Sequence, residues 1–206
     1  MDQIITKVQN PFPYLKIENM YSEEELELIA EELKFLTYPE KLEEPLFSGT
    51  ATENGKPLKE NRALFLDDLY RKREISNILK VNRKLFSPEY LDSYASLSFG
   101  YKSIKECNHD VTLISYYENG GHYKPHKDIT LHTALTWFFR EPKLFTGGDF
   151  HFSEYKEKIE IKHNMTVIFP SFVLHAVDEV CMPEDIPPGF GRYCMTQFIS
   201  LYTQNK

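Results

Sequence analysis

No stretch of this chain approaches the ~18 consecutive apolar residues that a membrane-spanning helix needs. Its first residues, Met1-Asp2-Gln3-Ile4-Ile5-Thr6-Lys7, lack the charged-then-apolar pattern of a secretory leader. A cytoplasmic protein with no membrane partner is the resulting expectation. Cysteine is scarce: Cys107, Cys181 and Cys194 form no CxxC pair and no zinc-ligand spacing. That excludes a disulfide scaffold and reads as free thiols in a reducing compartment. Positive charge is in deficit, with a formal net charge of −7 and acids spread along the chain. Such a chain repels phosphate backbones, so a nucleic-acid partner is not expected. Internal repeats and low-complexity stretches are also missing, and a monomer is the default oligomeric expectation.

What is present is an ordinary globular composition over 206 residues, 41% hydrophobic and 27% charged. This length predicts one domain, residues 1–206, with a well-buried core. The 15 Phe and 13 Tyr suit β-rich structure. Ser22 with Glu25 three residues on forms a capping-box pattern, and Leu26, Ile29, Ala30 and Leu33 follow at helical spacing, which predicts a helix over 22–36. Residues 39–62 read as irregular, with Pro39, Pro45, Gly49, Pro57 and the turn signal Asn54-Gly55. Within it, 46–62 is a candidate lid over a substrate. Leu69, Ile75, Ile78, Leu79 and Leu85 predict a second helical region over 67–85, and a short helix is expected near 88–95. After residue 105 short β-rich runs alternate with turns: 111–117, 133–139, 148–152, 158–162, 166–169, 173–180 and 193–202. The expected architecture is mainly β, with a helical N-terminal layer (1–105) packed on a C-terminal barrel or double-sheet roll (106–206).

Three residues carry metal chemistry. In an extended segment, His126 and Asp128 of His126-Lys127-Asp128 point to one side. Alone this triplet reads as a loop His–Asp hydrogen bond. His175 lies in the strand pattern Phe172-Val173-Leu174-His175-Ala176-Val177, sharing a face with Val173 and Val177. A buried imidazole there must satisfy both ring nitrogens. Two histidines and one carboxylate make the facial set of non-haem iron(II), which leaves coordination positions open for oxygen. In Gly191-Arg192-Tyr193-Cys194-Met195-Thr196-Gln197-Phe198, Arg192, Cys194, Thr196 and Phe198 alternate onto one face. A buried arginine there requires an anion, and its planar fork fits a carboxylate. A structural Asp or Glu is the competing partner.

The order of these parts resembles the prolyl-4-hydroxylase-like family of Fe(II)- and 2-oxoglutarate-dependent dioxygenases. The run Tyr116-Tyr117-Glu118-Asn119-Gly120-Gly121-His122-Tyr123-Lys124-Pro125-His126-Lys127-Asp128 is similar to its Tyr…Gly…Tyr…His-x-Asp segment. Leu135-Thr136-Trp137-Phe138-Phe139 resembles its Thr-bearing strand, and Gly147-Gly148-Asp149 with Phe152 its Gly-Gly-Glu…Phe turn. Phe169-Pro170-Ser171 resembles the approach to the distal His, and Gly191-Arg192-Tyr193 the Gly-x-Arg-Tyr close. The likeness covers roughly residues 111–201. It implies a double-stranded β-helix (jelly roll) with N-terminal helices. The implied activity is oxidative decarboxylation of 2-oxoglutarate to succinate and CO2, coupled to hydroxylation of a protein side chain or a small molecule. By the same resemblance His126, Asp128 and His175 bind Fe(II), Arg192 holds the distal carboxylate of 2-oxoglutarate, and Tyr116 and Thr196 hydrogen-bond the cosubstrate. Ascorbate joins the cofactors on the same ground.

The sequence departs from the family pattern at Phe138, where a carboxylate-binding Tyr is frequent, so Thr136 is a candidate helper for Arg192. The stretch Cys181–Gly191, with Pro183, Pro187, Pro188 and Gly189, reads as a loop insertion that bears on the register of Arg192. Relatives that repair alkylated nucleobases carry a second Arg six residues after the first, where this chain has Phe198. His122 and His126 have the spacing of a zinc-protease helix, but Pro125 and the missing Glu exclude it. His122 reads as exposed or substrate-side, His132 and His151 as surface with the mouth of the pocket as the alternative, and His109 and His163 have no role. The second functional reading is a non-catalytic jelly roll that keeps the pocket for binding only.

Overall fold

The computed structural model describes residues 2–38 and 41–202. Pro39, counted above among the breakers of the irregular stretch, lies outside the described residues. The chain opens with β1 (Ile4–Val8) and β2 (Tyr14–Glu18), followed by α1 (Glu23–Thr37). Four short strands follow: β3 (Thr52–Glu53), β4 (Lys56–Pro57), β5 (Lys59–Glu60) and β6 (Arg62–Phe65). Next come α2 (Leu66–Leu69), α3 (Asn77–Val81) and α4 (Pro88–Ala95), with 3-10 turns between and after them. The roll itself is β7 (His109–Tyr117), β8 (His122–His126), β9 (His132–Phe138), β10 (Thr146–Gly147), β11 (Phe150–Phe152) and β12 (Glu157–Ile159), then β13 (Met165–Pro170), β14 (His175–Val177), β15 (Val180–Cys181) and β16 (Arg192–Ser200).

Two sheets face each other. The large one has the order β1-β2-β13-β9-β16-β7-β6, and the small one β12-β11-β14-β8-β5. Side chains alternate across the large sheet. Tyr117, Trp137, Phe169 and Cys194 pack between the sheets with Phe150 and Phe152 of the small one. Tyr116, Phe138, Tyr193 and Met195 face outward and pack with Ile29, Leu33 and Leu36 of α1. The jelly roll expected from the sequence is thus present, with a helical layer on its outer face.

The expected N-terminal layer is more than helical. Strands β1 and β2 extend the large sheet, with β2 antiparallel to β13, while β6 pairs with β7 and β5 with β8. Leu15 and Ile17 are buried and alternate with Lys16 and Glu18, so the period-2 signal was present there. Helix α1 forms as expected: Ser22 Oγ accepts from Glu25 N and the Glu25 carboxylate accepts from Ser22 N. The second helical region is broken into short pieces. The Asp67 carboxylate accepts the Thr112 amide at 2.7 Å, tying α2 to β7. Ser76 Oγ then caps a new start by accepting from Leu79 N at 3.0 Å, while the Glu32 carboxylate takes Ser76 Oγ and Ile78 N at 2.7 and 2.8 Å. Side chains that hydrogen-bond nearby backbone compete with helix continuation.

In the stretch expected to be irregular, Asn54-Gly55 does turn the chain, with φ of 51° and 76°, between the paired strands β3 and β4.

Candidate metal centre

Strands β8 and β14 lie side by side with His126 opposite His175. The two rings are 4.3 Å apart. Asp128 follows β8 directly, and its amide donates to the Ser171 carbonyl at 3.0 Å, which curls the carboxylate back beneath the two imidazoles. One donor atom from each of His126, Asp128 and His175 lies within 4.8 Å of the others.

Backbone carbonyls orient both rings. His126 Nδ1–H donates to Lys124 O at 2.9 Å and His175 Nδ1–H donates to Val173 O at 2.8 Å. Each Nε2 therefore carries a free lone pair, the arrangement a metal requires. The Nε2 atoms stand 3.9 Å and 3.6 Å from the Asp128 oxygens. These contacts are not ion pairs, because burial pushes both imidazoles down to about 4 and holds them neutral at pH 7. Burial also pushes the Asp128 carboxyl up, opposed by its hydrogen bond from Thr133. Two neutral imidazoles and a desolvated carboxylate form a donor set whose electrostatics a divalent cation completes. Thr133 Oγ1 donates to Asp128 Oδ2 at 2.6 Å and lies 2.8 Å from Ser171 Oγ. Tyr123 lies flat on His126 at a ring separation of 3.5 Å.

Deeper in the roll, Arg192 is fully buried. Its Nε donates to Gly148 O at 2.8 Å, and its guanidinium lies 4.6 Å from the Tyr117 ring. Both terminal nitrogens, Nη1 and Nη2, are buried without a hydrogen-bond partner. No carboxylate pairs with Arg192 among the described residues, so the structural Asp or Glu that competes for this arginine is not found there. A buried fork with open donors fits a carboxylate ligand such as the distal end of 2-oxoglutarate. The tight turn at Gly147-Gly148 makes this possible. Both have φ of +67°, and a Cβ on Gly148 would approach Val180 Cγ2 to 2.8 Å and Arg192 Cδ to 3.0 Å. The 181–191 insertion leaves the register intact: β16 is continuous from Arg192, opposite Tyr117 of β7.

Thr196 shares the inward face with Arg192 and Cys194, its hydroxyl 3.9 Å from Cys194 Sγ. Tyr116 does not join this pocket. It lies on the helix-side face, stacked on Tyr193, and its hydroxyl accepts from Gly189 N at 2.6 Å and Gly191 N at 3.2 Å, anchoring the end of the insertion. The inward neighbour is Tyr117, because one residue along a strand reverses the face. Thr136 and Phe138 face outward for the same reason, and the Thr136 hydroxyl is 2.7 Å from that of Thr166.

His132 and His163 differ from expectation, and His151 does not. His132 is buried rather than superficial, with Nδ1 3.1 Å from Tyr94 Oη and Nε2 2.8 Å from Ser103 Oγ. His163 accepts the Phe139 amide at 3.1 Å, a structural role. His151 is part-exposed beside Asp178 at 3.3 Å. Sequence reasoning gave no role to Thr133 and Trp137, since β9 is buried on both faces and gives no alternation to read, nor to Ser171, which follows β13 in a turn. A cavity of about 680 Å³ between α1 and the outer face, lined by Leu33, Phe138 and Tyr193, shares no residue with the metal donors.

Residues 112–200 match the family model described as the 2OG-Fe(II) oxygenase superfamily. A comparison with curated proteins gives no match. Among solved structures, the fold resembles a viral collagen prolyl hydroxylase from Paramecium Bursaria Chlorella virus-1 in its 2OG complex, at 18% identity over 92% of this chain and 96% of that one, TM-score 0.59. It also resembles a Pseudomonas putida prolyl-4-hydroxylase, at 12% identity over 92% and 93%, TM-score 0.56. A Trichoplax adhaerens prolyl hydroxylase, solved with a hypoxia inducible factor oxygen degradation domain peptide, aligns at 15% identity over 91% and 83%, TM-score 0.64. Matched segment, jelly roll and candidate donor set agree in pointing one way: residues 112–200 are similar to the 2OG-Fe(II) oxygenase superfamily.

Proposed function

We propose that this chain is an Fe(II)- and 2-oxoglutarate-dependent dioxygenase that hydroxylates a protein side chain, of prolyl type, or a small molecule, with release of succinate and CO2. The observation that carries this reading is the convergence of His126 Nε2, His175 Nε2 and the Asp128 carboxylate within 4.8 Å, in a roll that also buries the unpaired fork of Arg192. Bound iron with 2-oxoglutarate supplies the oxidising chemistry.

The chain's own residues do the rest. His126 and His175 present fixed Nε2 lone pairs, held by Lys124 O and Val173 O. Asp128 supplies the anionic ligand, and Thr133 holds its carboxylate through Oδ2. Arg192 fixes the far carboxylate of the cosubstrate, with Thr196 on the same face. The aromatic walls at Phe150, Phe169 and Trp137 exclude water and strengthen each of these polar contacts. The reading also takes the chain as one domain and a cytoplasmic monomer, to which the three free thiols are suited.

Succinate release tests it, with Fe(II), 2-oxoglutarate and ascorbate over a panel of proline-containing peptides and small metabolites. Peptides lead the panel because the similar folds above include prolyl hydroxylases, one of them solved with a peptide. Anaerobic addition of 2-oxoglutarate to the Fe(II) protein is the companion measurement. A weak visible charge-transfer band supports chelation; its absence, with no succinate from any substrate, would overturn the reading.

A further inference from the structure

Trp137 holds a second unpaired donor beside Arg192. Its side chain is fully buried on the inward face of β9, and its Nε1–H has no hydrogen-bond partner. Buried indole N–H groups usually find an acceptor, because leaving one unmade costs its full desolvation. The Arg192 guanidinium carbon is 6.0 Å from the Trp137 ring, at the outer limit of a cation–π contact, so attraction between the two side chains does not explain the indole's placement. Trp137 is opposite Cys194 across the β9–β16 ladder, one inward position along from Arg192. Three orphan donors, Arg192 Nη1, Arg192 Nη2 and Trp137 Nε1, are therefore gathered on one patch of the large sheet's inner face. The one helper that the sequence offered on β9 is elsewhere: Thr136 faces outward against Thr166.

A lone guanidinium satisfies two lone pairs of a carboxylate, and a carboxylate offers about four acceptor sites. An N–H at the patch beside the fork can take one of those left over. We propose that Trp137 is a binding residue for the distal carboxylate of 2-oxoglutarate, donating its indole N–H alongside Arg192. The inference rests on the oxygenase reading above and deepens it by naming the second donor. An indole, unlike a hydroxyl, donates and never accepts. The patch is thus built for an acceptor-only ligand end, a fully ionised carboxylate, and selects against a 2-oxo acid whose far end is an alcohol, an amide or a methyl group.

The test uses the full chain with Fe(II) under argon, where binding is read without turnover. Trp137 is the only tryptophan in the chain, so its fluorescence reports this site with no background from others. Saturating 2-oxoglutarate is expected to shift the wild-type emission, and 2-oxobutyrate, which lacks the distal carboxylate, is expected to bind weakly and leave it unmoved. Calorimetry on Trp137→Phe is expected to show roughly tenfold weaker 2-oxoglutarate binding with unchanged Fe(II) affinity and unchanged 2-oxobutyrate affinity. Trp137→Phe in an Arg192→Met background is expected to cost less than in the wild type, since both act on one carboxylate. Equal 2-oxoglutarate affinity in wild type and Trp137→Phe would overturn the proposal. Should the variant fail to fold, an unmoved wild-type emission at saturating 2-oxoglutarate overturns it by itself. Failure of the wild type to bind any 2-oxo acid with Fe(II) is a separate result: it sinks the oxygenase reading and this inference together.

Discussion

Thr133 donates its hydroxyl to Asp128 Oδ2 at 2.6 Å, so the carboxylate of the candidate metal set is held by the strand that follows it. The same hydroxyl lies 2.8 Å from Ser171 Oγ, which links β9 to the turn before His175. Outer-shell partners of this kind orient a ligand and typically tune metal affinity by ~10–100-fold. Thr133→Val should weaken Fe(II) binding by about tenfold, while Thr133→Ser should stay near wild type. Titration with Fe(II) under argon, with a melting curve as control, checks this. A lower melting temperature with unchanged metal affinity would show the hydroxyl to be structural only.

Removal of a ligand should act more sharply. The apo-protein is expected to take up one Fe(II) per chain, and His175→Ala to lose tight binding, because an incomplete facial set remains. Asp128→Ala should end hydroxylation yet leave the apo fold intact. Burial holds the Asp128 carboxyl above its usual range, so the metal-free protein gains nothing from that charge. Its melting temperature in chelator should equal or exceed that of wild type. A clear drop, or turnover by Asp128→Ala, would mean that the carboxylate ligand has been misassigned.

The donor set was legible because each of its residues sits in a distinctive local pattern: His-x-Asp after an extended run, and a histidine inside an apolar strand. The jelly roll was legible from β-rich runs spaced by turns. The pocket was less so. Tyr116 and Thr136 face the helix side while Tyr117 and Trp137, one residue along, face inward, and on a sheet covered on both faces nothing in the sequence reports which parity points inward. The strands β5 and β6, and the place of β2 in the sheet despite its period-2 pattern, were hidden for another reason. They are short, and their pairing with β8, β7 and β13 bridges large sequence separations that no local pattern encodes. The helical region read over 67–85 is present in short pieces because Asp67, Ser76 and Glu32 spend their oxygens on backbone amides at the breaks.

His132 gives a pH signature. Burial pushes its imidazole down to about 4, so between pH 6.5 and 4 the folded state binds fewer protons than the unfolded one. Its contribution is complete above pH 6.5 and is lost as the pH falls toward 4, by up to about 3 kcal/mol. His132→Gln should be less stable than wild type at pH 7, through the lost contacts to Tyr94 and Ser103, and the gap should close by pH 4. Urea unfolding across this range measures it. A gap that stays constant with pH would mean that His132 does not titrate in this window.

Arg192 separates ligand binding from stability. Arg192→Met should weaken 2-oxoglutarate binding by about ten- to a hundredfold, with Fe(II) affinity little changed, since a charge-assisted fork is worth ~1.5–3 kcal/mol. Arg192→Lys should recover only part, because an ammonium cannot make the fork. The melting temperature of apo Arg192→Met should hold or rise, as the variant removes a buried cation without a counter-ion. A fall in stability with an unchanged Michaelis constant for 2-oxoglutarate would assign the residue to structure.

The segment 46–62 is expected to close over substrate by its hairpin tip. Its base is tied down. Lys59, buried and with its amine pushed down to about 8 by desolvation, donates to Ser48 O and Gly49 O at 3.0 and 2.8 Å. The Ala51 amide donates to the hydroxyl of Tyr123 at 3.0 Å, and the Tyr123 ring is the one stacked on His126. The base is thus joined to His126 of the candidate metal set through one side chain, while the hairpin around Asn54-Gly55 stands exposed. A glutamate-specific protease should cut after Glu53 in the free protein and more slowly once Fe(II), 2-oxoglutarate and a true substrate are bound. Lys59→Met should expose the base, adding cleavage after Glu44 that substrate does not suppress. It should also raise the Michaelis constant for the prime substrate more than that for 2-oxoglutarate, because the tie lies at the mouth and not beside Arg192. Cleavage after Glu53 that is indifferent to substrate would reduce the hairpin to a connector, whatever Lys59→Met does at the base.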